Sequence, residues 1–267
     1  MKRVAWLTDL HLNFLSEAQT RTFLASVAAA QPDAVLIGGD IAESHDVCEY
    51  LARLRELIAA PIFFVLGNHD YYHGSIAETR RRVVDYCAEH AELHYLSAAE
   101  TPAALSKHVG LVGHDGWADG RTGDFGRSMV SMMDYRLIAE LAGRDKRARW
   151  EMLKALGDEA ARHVRKLLSE ALATFRDVVL LTHVPPLREA CWYDGRISDD
   201  EWSPHFTCVA VGEALLEIMA AHPDQQLTVL CGHTHGRGEC QPLANVQVFT
   251  GGAEYGQPTI QRLFEFK

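Results

Sequence analysis

Five short apolar runs frame this chain: Val4–Leu7, Ala34–Ile37, Ile62–Leu66, Val178–Leu181 and Leu227–Cys231. Each is too short for a buried helix and reads as a buried strand. Each also stops abruptly at polar residues. The third is followed by Gly67-Asn68-His69-Asp70. In open α/β sheets ligands gather just beyond the carboxyl ends of strands, so three polar side chains at that point are placed for chemistry. Asn68 can offer an amide oxygen, His69 a proton, and Asp70 a carboxylate that orients the imidazole. A polar turn capped by glycine is the bland alternative for this tetrapeptide alone.

Between the runs lie helical patterns. Glu17–Ala30 carries Phe23, Leu24 and Val27 at helical intervals and ends at Pro32-Asp33. Asp46–Ala59 is amphipathic, and Ser75–His90 opens with Ser75 and Glu78 in capping-box spacing. Leu93–Leu96 and Val109–Gly113 read as further strands, His114–Asp119 as a loop, and Val209–Ala221 as a helix. The segment of about 131–176 is helical in composition, with expected breaks near Gly143 and Gly157-Asp158. Val246–Phe249 and Thr259–Phe264 close the chain as late strands. A chain of 267 residues, 48% hydrophobic, suits one globular unit over 1–267.

Charge and cysteines narrow the class. A net charge of -10 argues against a stable nucleic-acid partner held through a basic surface, because phosphate backbones need clustered Lys and Arg. The six cysteines form no Cys-x-x-Cys pair, so reduced thiols are expected. The apolar run after Met1-Lys2-Arg3 is too short for a signal-peptide core, and no stretch approaches the roughly 18 apolar residues of a membrane span. The expectation is a cytoplasmic protein without a membrane association. Its oligomeric state leaves no mark in the sequence.

The polar residues at the strand ends are Asp9 and His11, Asp40, Asn68 with His69 and Asp70, His183, and His233 with His235. An Asp-x-His pair on an extended segment puts a carboxylate oxygen and an imidazole nitrogen on one side, where both can meet one metal. In order and setting the five blocks resemble the calcineurin-like metallophosphoesterases, whose pattern is Asp-x-His, Gly-Asp, Gly-Asn-His-Asp/Glu, His, then Gly-His-x-His. The resemblance covers about residues 4–235. It implies an α/β fold: a four-layer αββα sandwich of two mixed β-sheets flanked by helices.

It also implies a site with two divalent or trivalent metal ions (Mn, Fe, Ni, Co or Zn). Asp9, His11 and His235 would hold one, Asn68, His183 and His233 the other, with Asp40 bridging. Mixed oxygen and imidazole donors suit those metals better than Mg or Ca. The implied reaction is hydrolysis of a small phosphorylated substrate by a metal-bound hydroxide, with His69 as acid and Asp70 orienting it. A phosphodiester is favoured over a phosphomonoester. A nuclease, or a metal-stabilised scaffold without activity, is the alternative. The Gly-Asp block continues Ile41-Ala42-Glu43, without the nearby tyrosine that ligates iron in purple acid phosphatases, which argues against that branch.

Two segments remain outside this pattern. A loop of about 187–207 carries Trp192, Tyr193, Trp202 and His205, and its length and aromatic content suggest a lid. Trp192, Tyr193 and His205 are therefore candidates for substrate contact. Arg144, Lys146, Arg147 and Arg149 read as a solvated helix face. His45, His73 and His114 lie near the strand-end blocks but read as structural or solvent-exposed.

Overall fold

The computed structural model describes all 267 residues. In chain order the elements are β1 (Lys2–Leu7), α1 (Glu17–Ala29), β2 (Ala34–Gly38), α2 (Val47–Leu57), β3 (Ile62–Val65), α3 (Ile76–Ala88) and β4 (Leu93–Tyr95). They continue with β5 (Ala103–Ala104), β6 (Val109–His114), α4 (Asp134–Leu137), α5 (Lys146–Leu172), β7 (Asp177–Thr182), β8 (Trp192–Tyr193) and β9 (Arg196–Ile197). The last are α6 (Val209–Ala220), β10 (Gln226–Cys231), β11 (Gly238–Leu243), β12 (Val246–Thr250) and β13 (Arg262–Phe266). All five apolar runs are strands.

The strands form two mixed sheets, ordered β13-β1-β2-β3-β4 and β11-β12-β10-β7-β6-β5, with β8-β9 as a separate hairpin. β1 to β4 are parallel and β13 joins antiparallel to β1. In the second sheet β12, β10, β7 and β6 are parallel, and β11 and β5 close the edges antiparallel. Alternation of side chains along each strand then builds three apolar layers. Trp6, Leu36 and Val65 of the first sheet meet Leu111, Val179 and Leu181 of the second. On its other face the first sheet packs Val35, Ile37 and Phe64 under α1, α2 and α3. The second sheet packs Val178, Leu180 and Val229 under α5 and α6. The result is helix, sheet, sheet, helix. Each buried Leu or Ile in these layers contributes about 1.5–3 kcal/mol, and this packing brings the carboxyl ends of both sheets to one edge.

The structure corrects several boundaries. α5 runs unbroken through Gly157, because that glycine faces Asp119 rather than ending the helix: a Cβ there would lie 2.7 Å from the Asp119 Cβ. Gly143, at φ +68°, does break the chain. The expected loop 187–207 contains the β8-β9 hairpin. β11 was not expected, since Gly238 and Pro242 argue against a strand; it is an edge strand, where proline is tolerated. The last strand starts at Arg262, because Gln261 turns its side chain onto the backbone of Gly252. Ser75 does cap α3 through Glu78 N, but the reciprocal partner is Glu140, which accepts from Ser75 Oγ and the N–H groups of Ile76 and Ala77. The basic cluster is tied into the fold as well: Lys146 Nζ donates to the carbonyls of Gly126 and Ser128, and Arg149 lies over the Tyr135 ring.

Candidate metal centre

Register aligns the strand ends. Leu7 pairs with Ile37 and Gly38 with Val65 in the first sheet, while Leu230 pairs with Leu181 in the second. The loops that follow cross between sheets: His233 N donates to Asp9 Oδ1 at 2.9 Å, and His183 Nδ1 meets the Gly38 carbonyl at 2.8 Å. Gly232 is required for this approach, since a Cβ there would overlap the Asp9 carboxylate.

Seven of the sequence-predicted residues converge. Asp9, His11, Asp40 and His235 offer ligand atoms within 4.8 Å of one another. His11 Nε2 lies 3.1 Å from His235 Nε2 and 3.6 Å from Asp40 Oδ2. The other Asp40 oxygen, Oδ1, faces His183 Nε2 at 3.5 Å. Beyond it, Asn68 Oδ1 meets His183 Nε2 at 3.0 Å and His233 Nδ1 at 2.9 Å. Asp40 therefore stands between two groups of donors and turns one oxygen to each. Only His235 of the seven is more than marginally exposed.

The hydrogen bonds behind these atoms determine what the centre can hold. His183 donates from Nδ1 to the Gly38 carbonyl, and His233 donates from Nε2 to the His205 carbonyl at 3.0 Å. Each ring therefore presents a bare nitrogen inward, the tautomer of a metal ligand. Asn68 donates from Nδ2 to Asp134 Oδ1 at 2.9 Å and to the Tyr72 hydroxyl at 3.2 Å, which turns its oxygen toward both histidines. The Asn68 oxygen faces a ring nitrogen of each histidine at about 3 Å, the spacing of adjacent ligand atoms around one ion with bonds of about 2.1 Å. Such an arrangement is repulsive unless a metal ion or a proton lies among them. The residues fit a metal centre.

Electrostatics point the same way. Burial alone would raise Asp40, but His183, His69, His11 and His233 outweigh it and hold the carboxyl far below its usual range. Burial disfavours a charged His183, yet Asp40, Asp9 and the Gly38 carbonyl raise it above its ordinary value. His11 goes the other way: burial lowers it to about 4 against the attraction of Asp40. Burial and His183 also lower His233.

Backbone strain concentrates here. Among non-glycine residues with positive φ are Asp9 (52°), His11 (44°), Asp40 (51°), His233 (69°) and His235 (57°). Such left-handed conformations cost about 1–3 kcal/mol each and persist only where the surroundings over-determine them.

The relation of Asp70 to His69 differs from expectation. Asp70 does not orient the His69 ring: its Oδ1 accepts from Ile41 N and Ala42 N, and its Oδ2 from Gly67 N. It fastens the loops after β2 and β3 to each other. Burial and the Asp40 carboxylate push Asp70 upward, opposed by the N–H groups of Ala42 and Gly67. The His69 ring sits between Tyr72 (centroids 4.2 Å) and His11 (4.6 Å), and its buried Nδ1 has no partner.

An open cleft of about 440 Å³ lies over the centre, lined by Asp40, Asn68, His69, His233 and His235 below and by Tyr72, Met132, Met133, Tyr193, Trp202, Phe206 and Tyr255 around. No lysine or arginine lines it. Of the three candidates for substrate contact, Tyr193 faces this cleft. Trp192 packs on Gly236 and Gly238, and His205 is buried, bonded to Ser128 Oγ and the Tyr135 hydroxyl. His114 is buried too, and burial lowers it to about 3. His45 and His73 are exposed. Residues that sequence reasoning missed are Asp134 and Tyr72, which orient Asn68, and Tyr255, whose ring lies 4.6 Å from that of His11. None sits in a motif.

No helix is long and apolar enough to cross a membrane. A family model for calcineurin-like phosphoesterases matches residues 2–237. An uncharacterized metallophosphoesterase of Campylobacter jejuni is 32% identical over 103 residues, 35% of this chain and 25% of that protein. A probable cyclic nucleotide phosphodiesterase of a Pseudoalteromonas species is 37% identical over 84 residues, 26% of this chain and 31% of that protein. The chain thus matches between a quarter and a third of the length of these curated relatives. Two solved structures share the fold: a phosphopantetheinyl hydrolase from Mycobacterium tuberculosis (TM-score 0.68, 17% identity, 95% of this chain and 89% of that one) and a dimetal phosphatase from Danio rerio (0.60, 14%, 96% and 89%). On the extent of the family match, this chain is a member of the calcineurin-like phosphoesterases.

Proposed function

We propose that this chain is a metal-dependent phosphoester hydrolase that uses two metal ions and prefers phosphodiesters. The observation that carries the reading is the division of donors about Asp40: Asp9, His11 and His235 on its Oδ2 side, Asn68, His183 and His233 on its Oδ1 side. The first group would hold one ion, the second group the other, and Asp40 both. Mn, Fe, Ni, Co and Zn suit such donors. When bound, such a pair supplies an activated water and positive charge at the phosphoryl oxygens. Because ligands come from both sheets, 1–267 works as one catalytic unit.

The chain's own residues do the rest. Gly38, His205, Asp134 and Tyr72 keep inward-facing lone pairs aimed. His69 gives a proton to the departing oxygen, its ring held by Tyr72 and His11 and its backbone N–H bound to Asp40 Oδ1 at 2.8 Å. Asp70 serves by fixing the loop that carries His69. The preference for diesters is supported by the cleft, where no lysine or arginine waits for the second charge of a monoester.

The test is hydrolysis of bis(p-nitrophenyl) phosphate beside p-nitrophenyl phosphate by metal-stripped protein resupplied singly with Mn, Ni, Co, Zn or Mg. Metal-dependent turnover, faster on the diester, is expected. Two ions bound without cleavage of either ester would reject the reading. In His69→Ala turnover should fall about 10²–10⁴-fold with metal content by atomic emission unchanged; loss of metal there would reassign His69 as a ligand.

A further inference from the structure

Resting on that reading, we infer that the substrate's retained ester arm carries a flat aromatic or heteroaromatic ring, seated on a wall formed by Tyr193, Trp202 and Phe206. The three rings lie 5.2–5.5 Å from one another by centroid, and all three line the cleft. Phe206 stands edge-on to His233 at 5.4 Å and 85°. The wall therefore begins at the donors and runs outward to Tyr193, which is 39% exposed at the cleft mouth.

The wall is built in advance of any ligand. Trp192 and Tyr193 form β8, and alternation along a strand sends them to opposite faces: Trp192 anchors the hairpin on Gly236 and Gly238 while Tyr193 turns to the cleft. Behind Phe206, the His205 ring is locked between Ser128 and Tyr135. A rigid aromatic surface favours a flat ring over an alkyl chain, because stacking adds to plain burial.

Which arm it receives follows from His69. That ring lies against Tyr72 and His11, with Tyr255 at 6.2 Å, and the departing oxygen goes to it. The wall adjoins His233 instead, on the Oδ1 side of Asp40, where the arm that stays on phosphorus points. The bare carboxylates and histidines of the floor, with no lysine or arginine in the lining, leave no counter-charge for a further phosphate on that arm. The class is thus a singly charged phosphodiester bearing a ring, and not a nucleoside di- or triphosphate.

The experiment compares phenyl p-nitrophenyl phosphate with methyl p-nitrophenyl phosphate on the Mn-loaded protein, where the leaving group is the same and only the retained arm differs. The phenyl-over-methyl ratio of kcat/KM should drop by roughly tenfold in Trp202→Ala, and Trp202→Phe should restore most of it. Tyr193→Ala, at the exposed end, should lower the ratio in the same sense. A ratio equal in wild type and both alanine variants overturns the inference. Calorimetric binding of diphenyl phosphate against dimethyl phosphate to the Mn-loaded protein separates the two claims. A phenyl preference that vanishes in Trp202→Ala, without hydrolysis of any ester, upholds the wall and rejects the proposed function. Metal-dependent hydrolysis with no phenyl preference in binding rejects the wall alone.

Discussion

On one side of Asp40, Asp9, His11 and His235 are held by backbone: all three have positive φ, and the buried His11 Nδ1 has no hydrogen-bond partner. On the other side Asn68 has an ordinary φ of -65° and only His233 shares the positive φ, at 69°, while Asn68, His183 and His233 are each fixed from behind by hydrogen bonds. The chemistry of the donors explains the difference. A carboxylate presents an oxygen either way round, so for Asp9 position is enough. An amide has a donor end and an acceptor end, so Asn68 must be turned by Asp134 and Tyr72 before it can serve as a ligand. Strained backbone sets where a group stands, and outer hydrogen bonds set which of its atoms faces inward.

The largest test of this contrast is Asp40→Ala, which removes the residue both sides share. Metal content should fall from the proposed two ions per chain to one or none and the proposed hydrolysis to background; retention of both ions, measured by atomic emission, would show that the sides do not depend on a bridge. A smaller effect is expected from Asp134→Ala, which leaves every donor in place but frees the Asn68 amide to rotate. Affinity for one ion should drop about 10–100-fold while the other binds as before, in competition titrations with a chromophoric chelator. Equal weakening of both ions would mean that Asp134 acts on the whole centre rather than on Asn68.

The smallest effect is on the stability of the metal-free protein. His11 is lowered from 6.5 to about 4 and His205 likewise to about 4, in each case first by burial. Between those pH values the unfolded chain binds more protons than the folded one, so stability falls as pH drops. His183 is raised, so its contribution has the opposite sign: it is present below 6.5 and lost as pH rises through the folded value. Urea midpoints should therefore fall from pH 6.5 to 4, with a shallower slope in His11→Gln, while His183→Gln should leave that slope nearly unchanged and remove a loss of stability above pH 6.5. Equal slopes in the two variants below pH 6.5 would erase the electrostatic part of the comparison.

How far the sequence could be read follows from the same division. The convergence of Asp9, His11, Asp40, Asn68, His183, His233 and His235 was legible because each lies within four residues after the end of a strand, and the carboxyl ends of packed sheets come to one edge. Asp134 was not, since it reaches Asn68 from a four-residue helix 66 positions away with no pattern around it. Tyr255 lies beyond the last block, in a turn held by Ala253 N on the His235 carbonyl. Asp70 was found but given the wrong partner, because adjacency to His69 in the chain says nothing about where a carboxylate turns when three backbone N–H groups are closer at hand. Gly157 illustrates the converse: a glycine in a helical pattern signals a break or a close neighbour with equal force, and only packing against Asp119 decides.

The left-handed φ angles at positions 9, 11, 40, 233 and 235 carry one more consequence. Glycine adopts such angles with no steric cost, so replacing His11 or His235 by glycine would relax the backbone in the same step that deletes a ligand. The side chains that would hold metal are thus the ones that keep glycine, and with it a relaxed backbone, out of these positions. At these positions the proposed metal binding and an unstrained backbone are opposed at the level of individual torsion angles.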